Sequence, residues 1–132
     1  MSVRPTADEL LEAVGGFIDA ARKDLKDRDV FLARVALNAL ALVRRELREG
    51  PAADTAQERS LRSLLGETGD LEALNAKLCE AIRTGAFDGR AEALQSHLLQ
   101  TAMTQVAIDQ PQYSGLRAAR RRLSAPGGSA RG

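Results

Sequence analysis

Apolar residues recur three and four apart at the start of the chain. Leu10, Leu11, Val14, Phe17, Ile18, Ala21 and Leu25 follow helical spacing and form one stripe. Thr6 and Glu9, just after Pro5, make a T-x-x-E capping box, so the pattern predicts a helix from about Ala7 to Asp24. Gly15 and Gly16 fall on the face opposite the stripe. Each costs about 1 kcal/mol against alanine in a helix interior, and close approach of a neighbour is one use for them.

KDLKDRD, residues 23 to 29, is a charged connection. A second helix follows from about Val30 to Glu49 and should stop at Gly50-Pro51, a strong stop signal. Its stretch ARVALNALALVRREL, residues 33 to 47, is apolar almost all the way round, which predicts a helix packed on most sides at the centre of a bundle. Asp54 can cap a short third helix that ends near Leu65-Gly66. Asp70 can cap a fourth, whose stripe is Leu71, Leu74, Leu78 and Ile82 and whose end is Gly85. A fifth helix spans about Arg90 to Ile108, carries Leu94, Leu98, Ala102 and Val106, and is ended by Pro111. YSGLRAARRRL suits one last short helix, and the Pro/Gly/Ser tail from Ser124 to Gly132 should be disordered. No strand pattern and no repeat is present. The expected fold is all-α, a compact antiparallel bundle of about five helices plus a short C-terminal helix. It forms one domain over residues 1–123, with the tail at 124–132.

Composition supports that reading. The chain has 132 residues, enough to bury about two-thirds of its unfolded surface. Hydrophobic residues make up 44% but aromatics only 3%, so the core must be built from Leu, Ala, Val and Ile. The net charge is +1, unevenly spread. Arg117, Arg120, Arg121, Arg122 and Arg131 lie in the last sixteen residues without an acidic neighbour, leaving fourteen basic against eighteen acidic side chains elsewhere. That acidic body argues against nucleic-acid binding, which needs Lys and Arg on one face. The first fourteen residues lack an apolar h-region, and no run approaches the eighteen apolar residues of a membrane span. A soluble cytoplasmic protein with no membrane association is the expectation.

Candidate chemistry is sparse. On a helical wheel Arg34, Asn38 and Arg45 gather into one narrow stripe with Ala41 between them. Either the stripe is the solvent face of a largely buried helix, or it lines a groove that meets something acidic. In the second case a buried arginine needs a partner, and Asp109 is the candidate for Arg34. IDQPQYSG, residues 108 to 115, combines a helix stop, the only tyrosine and a Ser-Gly turn. Asp109 there can accept backbone hydrogen bonds in an Asx turn, and Tyr113 either covers the bundle end or anchors a contact surface. His97 is the only histidine and Cys79 the only cysteine, so a metal site, an internal disulfide and a Cys–His or Ser–His–Asp arrangement are not expected. His97 should be surface or half-buried, and Cys79 a small core residue. The tail glycines follow no strand and open no helix, so they are not a phosphate loop. No cofactor motif and no catalytic residue is assigned.

Three patterns together carry a family resemblance: R-V-x-x-N-A-L with R-R-E-L, then G-D-L-x-x-L-N-x-x-L-C, then I-D-x-P-x-Y-S-G. From about Ala7 to Arg120 the chain resembles a bacterial family of small helical proteins that carries only a domain-of-unknown-function label. Members are typically encoded beside an aminoglycoside-phosphotransferase-like kinase and an acyl-CoA dehydrogenase. The resemblance therefore implies a partner subunit for a kinase that phosphorylates a hydroxyacyl-CoA in levulinate-type catabolism. It supplies no catalytic residues. The chain departs from the family pattern at Gly15-Gly16, in the KDLKDRD connection and in its basic tail.

A bundle without a nucleophile, metal cluster or phosphate loop suits a non-catalytic accessory subunit better than an enzyme. Arg34, Asn38, Arg45, Asp109 and Tyr113 are then the surface that matters, because arginine and tyrosine suit an interface centre. The alternative is a small-ligand module that holds an acyl-CoA itself, with Arg34 and Arg45 on its phosphates or carboxylate.

Overall fold

The computed structural model describes residues 4–124. Every element in that span is helical: α1 (Ala7–Ala21), a short 3-10 turn (Arg22–Asp24), α2 (Arg28–Leu65), α3 (Leu71–Arg83), α4 (Ala91–Asp109) and α5 (Ser114–Ser124). The all-α expectation holds. The tail beyond Ser124 lies outside the described residues.

Local sequence chemistry accounts for most of the boundaries. Thr6 Oγ1 accepts the Glu9 amide at 3.1 Å and starts α1, as the capping box requires. Asp27 takes a left-handed conformation (φ 52°) just before α2, a geometry that Asp tolerates better than most residues. Gly66, at φ 68°, ends α2 with its amide on the Arg62 carbonyl. The Asp70 carboxylate accepts the Ala73 amide at 2.8 Å and caps α3. At the far end of α3 the Ala86 amide reaches the Ala81 carbonyl and Gly85 (φ 83°) reaches Ile82, the paired bonds of a Schellman motif.

One expected break does not occur. α2 runs for 38 residues, with Gly50 and Pro51 inside it, where the sequence predicts two helices. Proline removes one backbone donor, and its ring crowds the carbonyl four residues earlier. Strong helix formers flank it here: Ala52, Ala53 and Ala56 follow, and the Thr55 hydroxyl donates to the Pro51 carbonyl at 3.0 Å. Asp54, expected as a cap, is instead an exposed residue within the helix.

The chain divides at that point into two compact units, one ending at Gly50 and the other beginning at Pro51. The N-terminal unit is a hairpin of α1 and the first part of α2. Asp8 near the start of α1 pairs with Arg44, while a Cβ on Gly15 would touch Leu37 and Leu40, so the two helices run antiparallel. Among the described residues, Ala33 is its only buried hydrophobic residue.

The second unit holds the core. Leu61 and Leu64 from α2, Leu74 and Leu78 from α3, and Phe87 from the connection form one buried cluster, with Leu65, Leu71, Ala81 and Leu94 packed around it. α5 packs back on α4, with Leu116 buried. The packed face of α4 is rotated from the expected one. His97, Met103 and Ile108 are buried, whereas Leu98 is 45% exposed. Cys79 is exposed rather than in the core. One residue beyond buried Leu78, it is turned about 100° away from the leucine stripe.

Candidate functional site

The hairpin exposes far more apolar surface than its stripes predict. In α1, Leu11, Gly15, Ile18 and Ala21 are half-buried, but Leu10 is 54%, Val14 48% and Phe17 74% exposed. In α2, Ala33, Leu37, Leu40 and Arg44 face α1, while Phe31, Leu32, Val35, Val43 and Leu47 are 40–62% exposed. The second helix is therefore not packed on most sides within its unit.

Six of these eight residues share one side. On α1, Leu10, Val14 and Phe17 lie about a quarter turn from the edge that meets α2. On α2, Leu32, Val43 and Leu47 lie about a quarter turn from the edge that meets α1, in the same rotational sense. For antiparallel helices the same rotation on each leads to the same face, so the two stripes join. Phe31 and Val35 continue the surface around the outer flank of α2. At an average of about half exposure, eight such side chains present on the order of 800 Å² of apolar surface. The largest patch on an ordinary monomer is about 300–600 Å².

The polar stripe borders this surface. Arg34 and Asn38 are exposed, and Arg45 is half-buried and engaged within the chain. On the wheel they follow directly after Phe31 and Val35, at the edge of the apolar face. Arg34 is exposed, so the requirement of a buried partner does not apply to it. Asp109 is bracketed instead by its own helix, with Gln105 Nε2 at 3.1 Å from each carboxylate oxygen. It builds no Asx turn.

Tyr113 is 55% exposed and belongs to the second unit, as does Asp109. Its ring folds back over Gly115, where a Cβ would overlap it. In this position the ring occupies the space that a side chain at residue 115 would take. Of the five expected site residues, three lie on α2 in the first unit, and Asp109 at the end of α4 and Tyr113 just beyond it belong to the second.

Two residues emerge that the sequence did not mark. Arg44 clamps the hairpin, with Nε 2.8 Å from Asp8 Oδ1, Nη2 3.2 Å from Oδ2 and Nη2 3.7 Å from Glu12. That hydrogen-bonded guanidinium holds the Asp8 carboxyl below the usual carboxylate range, and Asp8 raises Arg44 in turn. Arg44 stood beside Arg45 in the sequence with nothing to separate them except the wheel position, which points Arg44 at α1. Ser60 is the other. Its Oγ lies 2.7 Å from Nδ1 of His97, and His97 is 5% exposed, more deeply buried than a lone histidine suggests. Burial lowers its pKa. Among the described residues no group of His, Cys, Asp and Glu could hold a metal ion, and no helix is long and apolar enough to cross a membrane.

Residues 23–113, well over half of the chain, match the family model described as a domain of unknown function, DUF6285. The chain belongs to the DUF6285 family. The DUF6285 span opens in the 3-10 turn and closes at Tyr113, narrower than the resemblance read from the sequence. It takes in Arg34, Asn38, Arg44, Arg45, Ser60, His97 and Asp109, and leaves α1 and α5 outside. No curated protein and no solved structure matches the chain.

Proposed function

We propose that this DUF6285 chain is a non-catalytic accessory subunit that docks on an aminoglycoside-phosphotransferase-like kinase acting on a hydroxyacyl-CoA. The observation that carries the docking half of this proposal is the open apolar face of the hairpin. Among the described residues the two helices fully bury only one hydrophobic residue, Ala33, so much of their apolar surface is left for a partner. A face of this size matches the roughly 800 Å² that each partner contributes to a standard interface. Its make-up also fits: it carries the aromatic side chains of Phe17 and Phe31, with a polar rim at Arg34 and Asn38. The kinase and its substrate class come from the sequence resemblance alone.

The test is reconstitution. The untagged chain is expressed with a tagged kinase from its own gene neighbourhood, and phosphorylation of a 4-hydroxyacyl-CoA is assayed with and without it. A stable complex with activity dependent on this chain is the expected result. No complex and unchanged activity would reject the proposal. Calorimetric binding of an acyl-CoA by the isolated chain would favour the small-ligand alternative.

A further inference from the structure

A second surface of opposite character lies in the second unit, along the seam of α2 and α4. Arg59, Ser60 and Ser63 line it from α2, and Arg90, Ser96 and His97 from the α4 side. The groove encloses about 1100 Å³ including its open mouth, and no acidic residue lines it. Neither arginine forms an ion pair among the described residues, whereas Arg22, Arg44, Arg62 and Arg83 do. Arg90 instead holds its guanidinium over the Phe87 ring, 5.2 Å from the centroid, which places the charged tip beside the core and leaves the N–H donors at its edge. It is also the N-cap of α4 and supplies no side-chain cap, so the first turn of that helix opens here with its amides uncapped by a side chain.

His97 adds a neutral donor. Burial disfavours its charged form. In the neutral tautomer that carries its proton on Nε2, Nδ1 accepts from the Ser60 hydroxyl. No buried side-chain nitrogen or oxygen among the described residues lacks a partner, and Nε2 has no hydrogen-bond partner there, so Nε2 opens onto the groove. Two arginines, three serines and the histidine therefore line one groove. A carboxylate presents two oxygens in one plane and is satisfied by one fork. A tetrahedral dianion has acceptors for both forks and for the neutral donors between them.

We propose that this groove binds the phosphoryl group of a small phosphate ester, with Arg59 and Arg90 as the charged clamp and His97 and the serines as neutral donors. The site is independent of the docking face, which lies in the other unit, and it stands or falls separately from it.

The sole histidine makes the test direct. The His97 ring signals of the full chain are followed by NMR while inorganic phosphate is added at constant ionic strength in chloride, with acetate as the comparison. A saturable shift with phosphate is expected, together with a rise in the His97 titration midpoint. Arg59→Gln and Arg90→Gln should each weaken binding at least about tenfold, the loss of one charge-assisted contact. Arg59 is exposed, so Arg59→Gln keeps the fold and the test remains valid if Arg90→Gln disturbs the Phe87 contact. A linear, non-saturating response that is the same in the parent chain and in Arg59→Gln would overturn the proposal. So would acetate binding as tightly as phosphate.

Discussion

Phe17 separates the stability of the hairpin from its use. It is 74% exposed, so about 150 Å² of a side chain of roughly 200 Å² is open in the free chain and about 50 Å² is covered. At about 25 cal/mol per Å², the covered part contributes about 1 kcal/mol to the fold, and the open part offers up to about 4 kcal/mol to a partner that buries it. Phe17→Ala should therefore lower the unfolding free energy by no more than about 1 kcal/mol in a urea titration. It should weaken binding to the kinase by about 2–4 kcal/mol, or thirtyfold to nearly a thousandfold, as a central aromatic anchor does. Both quantities are measured on one preparation, the first by circular dichroism and the second by calorimetry. The reverse pattern, a large loss of stability with affinity unchanged, would refute the reasoning and place Phe17 in a core.

Other consequences follow from particular positions. Gly16 sits inside α1 with open space around it, so Gly16→Ala should stabilise the chain by about 0.5–1 kcal/mol in the same urea assay. Gly85 sits at φ 83° with Asp88 Oδ2 only 2.9 Å from where a Cβ would stand, so Gly85→Ala should destabilise by at least about 1–2 kcal/mol. Because the folded pKa of His97 lies below its usual 6.5, the unfolded chain binds the proton more readily. Stability is then full above pH 6.5 and is lost as pH falls through the folded pKa. Melting temperatures between pH 7.5 and 5 should fall in the parent chain, and fall less in His97→Gln. The Asp8 carboxyl is also depressed, through its hydrogen bonds to Arg44. That contribution is present above the ordinary value of 3.8 and is lost as pH falls below it, so Arg44→Gln should flatten the acid limb of the stability curve.

The helices were legible in the sequence wherever one residue settles a boundary by its own chemistry. Thr6 and Asp70 cap, Gly66 and Gly85 terminate, and the KDLKDRD connection falls between α1 and α2, because each depends on bonds within a few residues. Pro51 misled because its cost, about 3 kcal/mol, is local, whereas the alanines around it and the packing of Leu61 and Leu64 further along the same helix favour continuity. The apolar stripes of α1 and α2 were legible as stripes. Periodicity reports which residues share a face and is silent on whether that face meets the chain's own core. Leu74 and Phe17 therefore looked alike, yet one is fully buried and the other is 74% exposed. Cys79 and Leu98 failed for a narrower reason, a rotation of one position on the wheel. The Ser60–His97 bond joins residues 37 apart, and no local pattern announces it. Arg34 and Arg45 drew notice through an apolar neighbourhood, while Arg44, which closes the hairpin on Asp8, looked like part of the same charged pair.

The docking claim meets its most direct test in reconstitution with the kinase. The parent chain, Phe17→Ala and Arg59→Gln are each mixed with the tagged kinase, and the complex and the phosphorylation of a 4-hydroxyacyl-CoA are measured together. A stable complex and chain-dependent activity are expected for the parent, with Phe17→Ala losing the complex at ordinary working concentrations and Arg59→Gln keeping it. Complex formation that is equal for the parent and for Phe17→Ala, or no complex with the parent at all, would contradict the docking claim.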